Sequence, residues 1–162
     1  MKCVCNGLGC KLCKAEEKAS RVFIPVEPMG AVRTTQKQKY TDPRAQRYKA
    51  YKDQIKWLLM NRLKFIPAGK AVIITDLIFY MPITASGKVS RKDPDTGKRQ
   101  LFDVEEGQPH IATPDIDNLI KGLFDAMNGI AWSDDNQVSE IQGAKKVYGD
   151  VPGIEFGLSF DE

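Results

Sequence analysis

A chain of 162 residues, 42% hydrophobic and 28% charged, is long enough for one domain with a real core and has the balance of an ordinary globular protein. No apolar run approaches the roughly 18 residues of a membrane span, and the N-terminus lacks an apolar signal-peptide core, so a cytoplasmic protein is the default expectation. The net charge is only +3, but the first 64 residues carry 15 Lys and Arg against 5 Asp and Glu, and the rest carry 9 against 16. That split gives a basic half suited to a phosphate backbone and an acidic half suited to other chemistry; solvated helix faces are the plain alternative for many of the lysines.

Residues 1–20 form a lysine-rich leader that holds all 4 cysteines, Cys3, Cys5, Cys10 and Cys13. Four thiolates suit a structural Zn²⁺, and Cys10-Lys11-Leu12-Cys13 has knuckle spacing, whereas Cys3-Val4-Cys5 is tighter than zinc sites usually are. A zinc knuckle and a simple thiol-bearing tail both stand; a disulfide scaffold is disfavoured in a cytosolic chain. The spacing predicts a strand over 21–27 and a loop over 28–43 that carries Arg33, Lys37 and Lys39. A helix follows over 43–64, with Tyr48, Tyr51, Ile55, Leu58, Leu59 and Leu63 on its apolar stripe. Residues 70–81, rich in Val, Ile and aromatics, predict a strand stopped by Pro82.

Residues 83–112 show almost no apolar periodicity and carry Lys88, Arg91 and Lys92. A mobile DNA-contacting arm is the expectation, with a β-hairpin around Asp95-Thr96-Gly97 or a disordered insertion as the alternatives. His110, the only histidine, lies in this stretch, where a lone loop histidine is more often structural than functional.

The next segment is the most informative. Ile116, Leu119, Ile120, Leu123, Phe124 and Met127 recur at helical spacing. Thr113 suits the N-cap, Pro114 the first helical position and Asp115 the first turn, while Asn128-Gly129 suits the stop. Asp117, Lys121 and Asp125 share one broad polar face, each step of four residues advancing about 40°. Asp134 and Asp135 then stand at the edge of a following strand. Aspartates so concentrated repel and raise one another's pKa, a conflict that a divalent cation relieves. Carboxylate oxygens are the ligands Mg²⁺ prefers. Helix-dipole compensation, an ordinary Asp117–Lys121 pair and common turn chemistry account for each residue singly, but not for two acidic clusters flanking one short helix. Strands over 137–148 and 153–160, antiparallel and turned at Gly149-Asp150-Val151-Pro152, complete the chain.

The run Pro114-Asp115-Ile116-Asp117-Asn118-Leu119-Ile120-Lys121, then Asp125-Ala126-Met127-Asn128-Gly129, then Asp134-Asp135-Asn136-Gln137-Val138, resembles the signature of RusA-type Holliday junction resolvases. A weaker match reaches back to Ile24-Pro25-Val26 and to residues 28–33. The resemblance implies a small homodimeric endonuclease that cuts four-way DNA junctions with Mg²⁺ or Mn²⁺. It carries the essential acidic positions onto Asp115, Asp117 and Asp135 and the essential lysine onto Lys121; Asp125 and Asp134 match neighbouring acidic positions. Many relatives have a basic residue where this chain has Thr113, which bears on one local phosphate contact. The cysteine segment lies outside the resemblance.

The order of elements predicts an α+β fold, a single mixed sheet with two main helices on one face, and the resemblance implies the same fold as a symmetric dimer. Residues 1–20 are then a leader and residues 21–162 the nuclease domain. The functional expectation is a metal-dependent, structure-selective endodeoxyribonuclease that resolves branched DNA in recombination and repair. Asp115, Asp117 and Asp135 would be the metal ligands, and Arg33, Lys37, Lys39, Lys88, Arg91 and Lys92 the DNA contacts. A non-catalytic DNA-binding module with a cysteine knuckle and a metal-dependent nucleotide hydrolase are the rivals.

Overall fold

The computed structural model describes residues 20–35 and 37–160; the four cysteines, and with them the zinc expectation, lie outside the described residues. Among the described residues six strands and three α-helices follow in the order β1 (Ser20–Ile24), α1 (Gln38–Thr41), α2 (Pro43–Leu59), β2 (Val72–Pro82), β3 (Lys88–Lys92), β4 (Arg99–Asp103), α3 (Ile116–Met127), β5 (Val138–Gly149) and β6 (Gly153–Phe160). Four strands form a mixed sheet in the order β1-β6-β2-β5. β6 is antiparallel to β1 and β2, and β5 runs parallel to β2. A parallel pair needs a crossover, and α3 is the helix within it.

β2 is central because its inward residues are apolar along its whole length. Val72 and Ile74 are buried, then Leu77, Phe79 and Met81. The change of phase falls at a bulge between Thr75 and Ile78, where Asp76 adopts φ 49°. The extra residue lets both halves of the strand face the same core. Tyr48, Tyr51, Ile55 and Leu59 of α2 and Leu119, Leu123, Ala126 and Met127 of α3 pack into that one core.

The α+β class and the mixed sheet match expectation, with three corrections. β5 and β6 are antiparallel but not neighbours, because β2 lies between them. The sheet is not single: β3 and β4 pair as a separate two-stranded hairpin, the alternative the sequence offered around Asp95-Thr96-Gly97. Asp93 closes its turn by accepting from the Asp95 and Thr96 amides and the Gln100 side chain. Thirdly, α3 begins two residues later than predicted. Asp115 is its N-cap, and Pro114, after a cis peptide bond, lies outside the helix.

Candidate active site

α3 is strongly amphipathic, with a buried face made of Leu119, Gly122, Leu123, Ala126 and Met127. Its other face carries the acidic residues. Asp117 lies in the first turn, Asp115 and Lys121 are exposed, and Asp125 is half-buried. Asp115 does not use its carboxylate as a cap. An N-cap aspartate normally accepts from the N2 or N3 amide, so this side chain keeps its oxygens for another partner. Among the described residues no ion pair joins Asp117 to Lys121, which removes the plainest structural account of that pair.

The second acidic cluster is brought back to the helix by a built turn. Trp132 is fully buried, donates from Nε1 to Asn128 Oδ1 at 2.7 Å and meets Phe124 edge-on at 5.5 Å. The Gly129 amide donates to Trp132 O at 2.7 Å, with φ 79° at the glycine, a conformation that L side chains avoid. Asp134 then caps a 3₁₀ turn, Asp135–Gln137. Gln137 fastens that turn at both ends of its amide. Oε1 accepts from Ser133 N at 2.8 Å and Asp134 N at 3.2 Å; Nε2 donates to Pro67 O at 2.8 Å and Lys70 O at 3.2 Å.

Asp134, Asp135, Asp125 and Lys121 form one electrostatic group. Asp135 is held above the usual carboxylate range, first by burial and then by its hydrogen bond and repulsion with Asp134; Asp125 adds to the rise and Lys121 opposes it. Asp125 also accepts from the Tyr48 hydroxyl of α2 at 2.7 Å. Burial first, and then that bond, raise the Tyr48 phenol well above its ordinary value, so it remains a donor.

The site has the chemistry for a hard divalent cation: several oxygen donors and too little counter-charge. Among the described residues no three His, Cys, Asp or Glu side chains are gathered into a group that could by itself hold a metal ion. This open arrangement still fits Mg²⁺, which is commonly held by one or two carboxylates, waters and substrate phosphates.

Lys146 of β5 fixes the entrance to α3. Its Nζ donates to Ala112 O and Pro114 O, both at 2.5 Å. The preceding loop is zipped to the same strand, with Gly107 N on Tyr148 O, Tyr148 N on Gln108 O and His110 N on Lys146 O. His110 packs against the Tyr148 ring at 4.8 Å. Its pKa is lowered by burial and then by the Lys146 and Arg91 charges. Loop 29–31 packs directly on α3. Ala31 N donates to Asn118 O, and a Cβ on Gly122 would sit 2.5 Å from Met29 O.

The expected DNA contacts divide. Arg33 and Lys39 line an open cleft beside α2, and Lys37 is exposed outside it. Lys88 lies 3.8 Å from Asp103, and Lys92 is exposed. Arg91 is half-buried and turns inward, donating to Tyr148 OH at 3.2 Å, so it docks the hairpin onto the sheet. Sequence reasoning missed Gln137, Lys146 and Gly122. A glycine inside a helix costs about 1 kcal/mol relative to alanine, and that cost was the available signal for a close packing contact at Gly122.

The family model for endodeoxyribonuclease RusA matches residues 25–158, and the chain belongs to that family of RusA-type Holliday junction resolvases. The chain is also similar to the uncharacterized protein YqaN of Bacillus subtilis (strain 168), 33% identical over 78 residues, covering 46% of this chain and 54% of YqaN. The match thus spans about half of that relative's length. No helix among the described residues is long and apolar enough to cross a membrane.

Proposed function

We propose that the chain is a divalent-metal-dependent endonuclease that resolves four-way DNA junctions by paired nicks, and that it serves recombination and repair as a homodimer. Family membership supports the endonuclease class. At residue level the reading is supported by the electrostatic influence of Asp134, Lys121 and Asp125 on Asp135, which links the polar face of α3 to the acidic pair that follows it.

Asp115, Asp117 and Asp135 are the residues to hold the metal, which when bound lowers the pKa of an attacking water and neutralises charge on the phosphate. Lys121 stands one turn beyond Asp117, where its ammonium stabilises charge developing on the scissile phosphate. Asp125, oriented by Tyr48, and Asp134, fixed by its turn, complete the negative surround that makes a cation favourable. The cysteines of the leader, which precede β1, are a candidate zinc site.

The test is a nicking assay on mobile and immobile four-way junctions with Mg²⁺, Mn²⁺, Ca²⁺ and EDTA. Paired nicks near the branch point in Mg²⁺ or Mn²⁺, with none in EDTA, are expected. Junction binding without cleavage under every metal condition would leave a DNA-binding module. Hydrolysis of free nucleoside triphosphates with intact junctions would leave a nucleotide hydrolase.

A further inference from the structure

We propose that the cleft between α2 and the wall formed by residues 32–34 and 39–40 is a groove for an unpaired DNA strand, which it leads to the acidic site. The proposal rests on the nuclease reading for its choice of substrate. The cleft has a volume of about 790 Å³ and is open to solvent on one side. Lys49, Lys52 and Lys56 line it from α2, and Arg33 and Lys39 line it from the opposite wall. The three lysines fall at i, i+3 and i+7, so they share one helix face. Among the described residues none of the five cations is engaged in an ion pair. Only Asp53 and Asp125 bring negative charge to the lining.

The aromatic residues separate this groove from a plain basic patch. Tyr40 lines the cleft and is 81% exposed. Tyr48, buried and covered by Lys52 Nζ 4.9 Å above its ring centroid, forms wall rather than a stacking face, so Tyr40 is the ring offered to a base. Cations that track a backbone, combined with rings on which bases stack, are how proteins hold single strands without reading sequence. A cleft of this volume is comparable to a small-molecule pocket, enough for about two nucleotides of one strand and too small to enclose a duplex. Its direction follows from Asp125, which lies in the lining and also belongs to the group around Asp135. A strand whose phosphates run along Lys49, Lys52 and Lys56 therefore ends at the carboxylates. The arms of a four-way junction are fully paired, so the strand this groove takes is the short stretch that opens at the crossover, where stacking is interrupted; a linear duplex has no such point, and the groove is a source of selectivity for branch points.

The experiment measures binding by fluorescence anisotropy in Ca²⁺ across a salt series, using a single-stranded oligonucleotide, the matching duplex and a four-way junction. The triple variant Lys49→Gln, Lys52→Gln, Lys56→Gln is expected to lower the log–log salt slope for the single strand by about 2, at roughly 0.7 per phosphate contact. Tyr40→Ala is expected to weaken single-strand binding about tenfold with little change in slope, since stacking carries no counter-ion release. Duplex binding should be unchanged in both variants. A slope lowered by about 2.7 for the duplex alone, at roughly 0.9 per contact, would overturn the proposal in favour of a duplex track. Unchanged slopes for every DNA would make the lysines a solvated face. Thermal melting confirms that the variants fold. The two readings fail separately: a wild type that shows these binding effects but never nicks a junction loses the nuclease function and keeps the groove.

Discussion

Asp117 carries a first-turn negative charge that ordinary helix chemistry welcomes, worth roughly 0.3–1 kcal/mol near the helix N-terminus. A dipole role and a metal-ligand role therefore predict different outcomes on substitution. Asp117→Asn keeps the shape and removes the anion. The expected result is loss of junction cleavage in both Mg²⁺ and Mn²⁺, with affinity in Ca²⁺ equal to or above that of the parent protein. A dipole role alone would leave cleavage intact and lower the melting temperature slightly. Lys121 is argued in the same way. If its ammonium acts on the reacting phosphate, Lys121→Ala should lower the single-turnover rate by roughly 10²–10³, as for loss of one electrostatic stabiliser. Lys121→Arg should restore part of it, because a planar guanidinium places its charge differently. If Lys121 only tempers the acidic group around Asp135, saturating Mg²⁺ would return the Ala variant to the full rate. The measurement is rate against Mg²⁺ concentration for both variants.

The elements that hold these residues were legible in the sequence to different degrees. α3 was read from its stripe of Leu119, Leu123 and Met127 because helical periodicity is a local signal. β2 was read from its run of Val, Ile and aromatics, near its observed bounds. The central place of β2 was not legible: the turn at residues 149–152 suggests neighbouring strands, and only a long-range parallel pairing with β5 shows otherwise. The start of α3 was misplaced for a related reason. Proline near a helix start suggests the first helical position, but Lys146 of a distant strand holds the carbonyls on either side of Thr113. That clamp has a testable consequence. Lys146→Met should speed amide exchange in the first turn of α3 and slow cleavage by about tenfold to a hundredfold, the scale of misplacing reacting groups. Junction affinity should hold, and unchanged exchange in a folded variant would remove the clamp. His110 in the same loop makes stability depend on pH. Its folded pKa lies below the unfolded value of about 6.5, so the unfolded chain binds the proton first. Stability is then fully present above that value and declines as pH falls through it toward the folded pKa. His110→Gln should flatten the melting temperature between about pH 7 and pH 5, the interval in which an imidazole titrates; an unchanged slope would assign the dependence to other groups.

At the scale of the whole molecule, one acidic site is not enough for the proposed reaction, because resolving a four-way junction takes two nicks in strands of like polarity. A two-fold symmetric dimer supplies two sites related as the two strands are. The dimer argument therefore concerns the number of sites. The cysteine leader enters separately. If Cys3, Cys5, Cys10 and Cys13 bind zinc, protein prepared under reducing conditions without chelators should hold about one Zn²⁺ per chain, and removing residues 1–16 should release it while the nuclease domain stays folded. Dimer action is tested by mixing. Parent protein and Asp117→Asn protein, differently tagged, are refolded together, and the mixed dimer is isolated through both tags. On a plasmid with an extruded cruciform, the parent dimer should give linear product from paired nicks. The mixed dimer should give nicked circles, since one of its two sites is dead and the cruciform is reabsorbed once the first nick relaxes supercoiling. Linear product from the isolated mixed dimer at the parent rate would show that one subunit makes both cuts, and light scattering that finds only monomers at cleaving concentrations would remove the dimer from the mechanism.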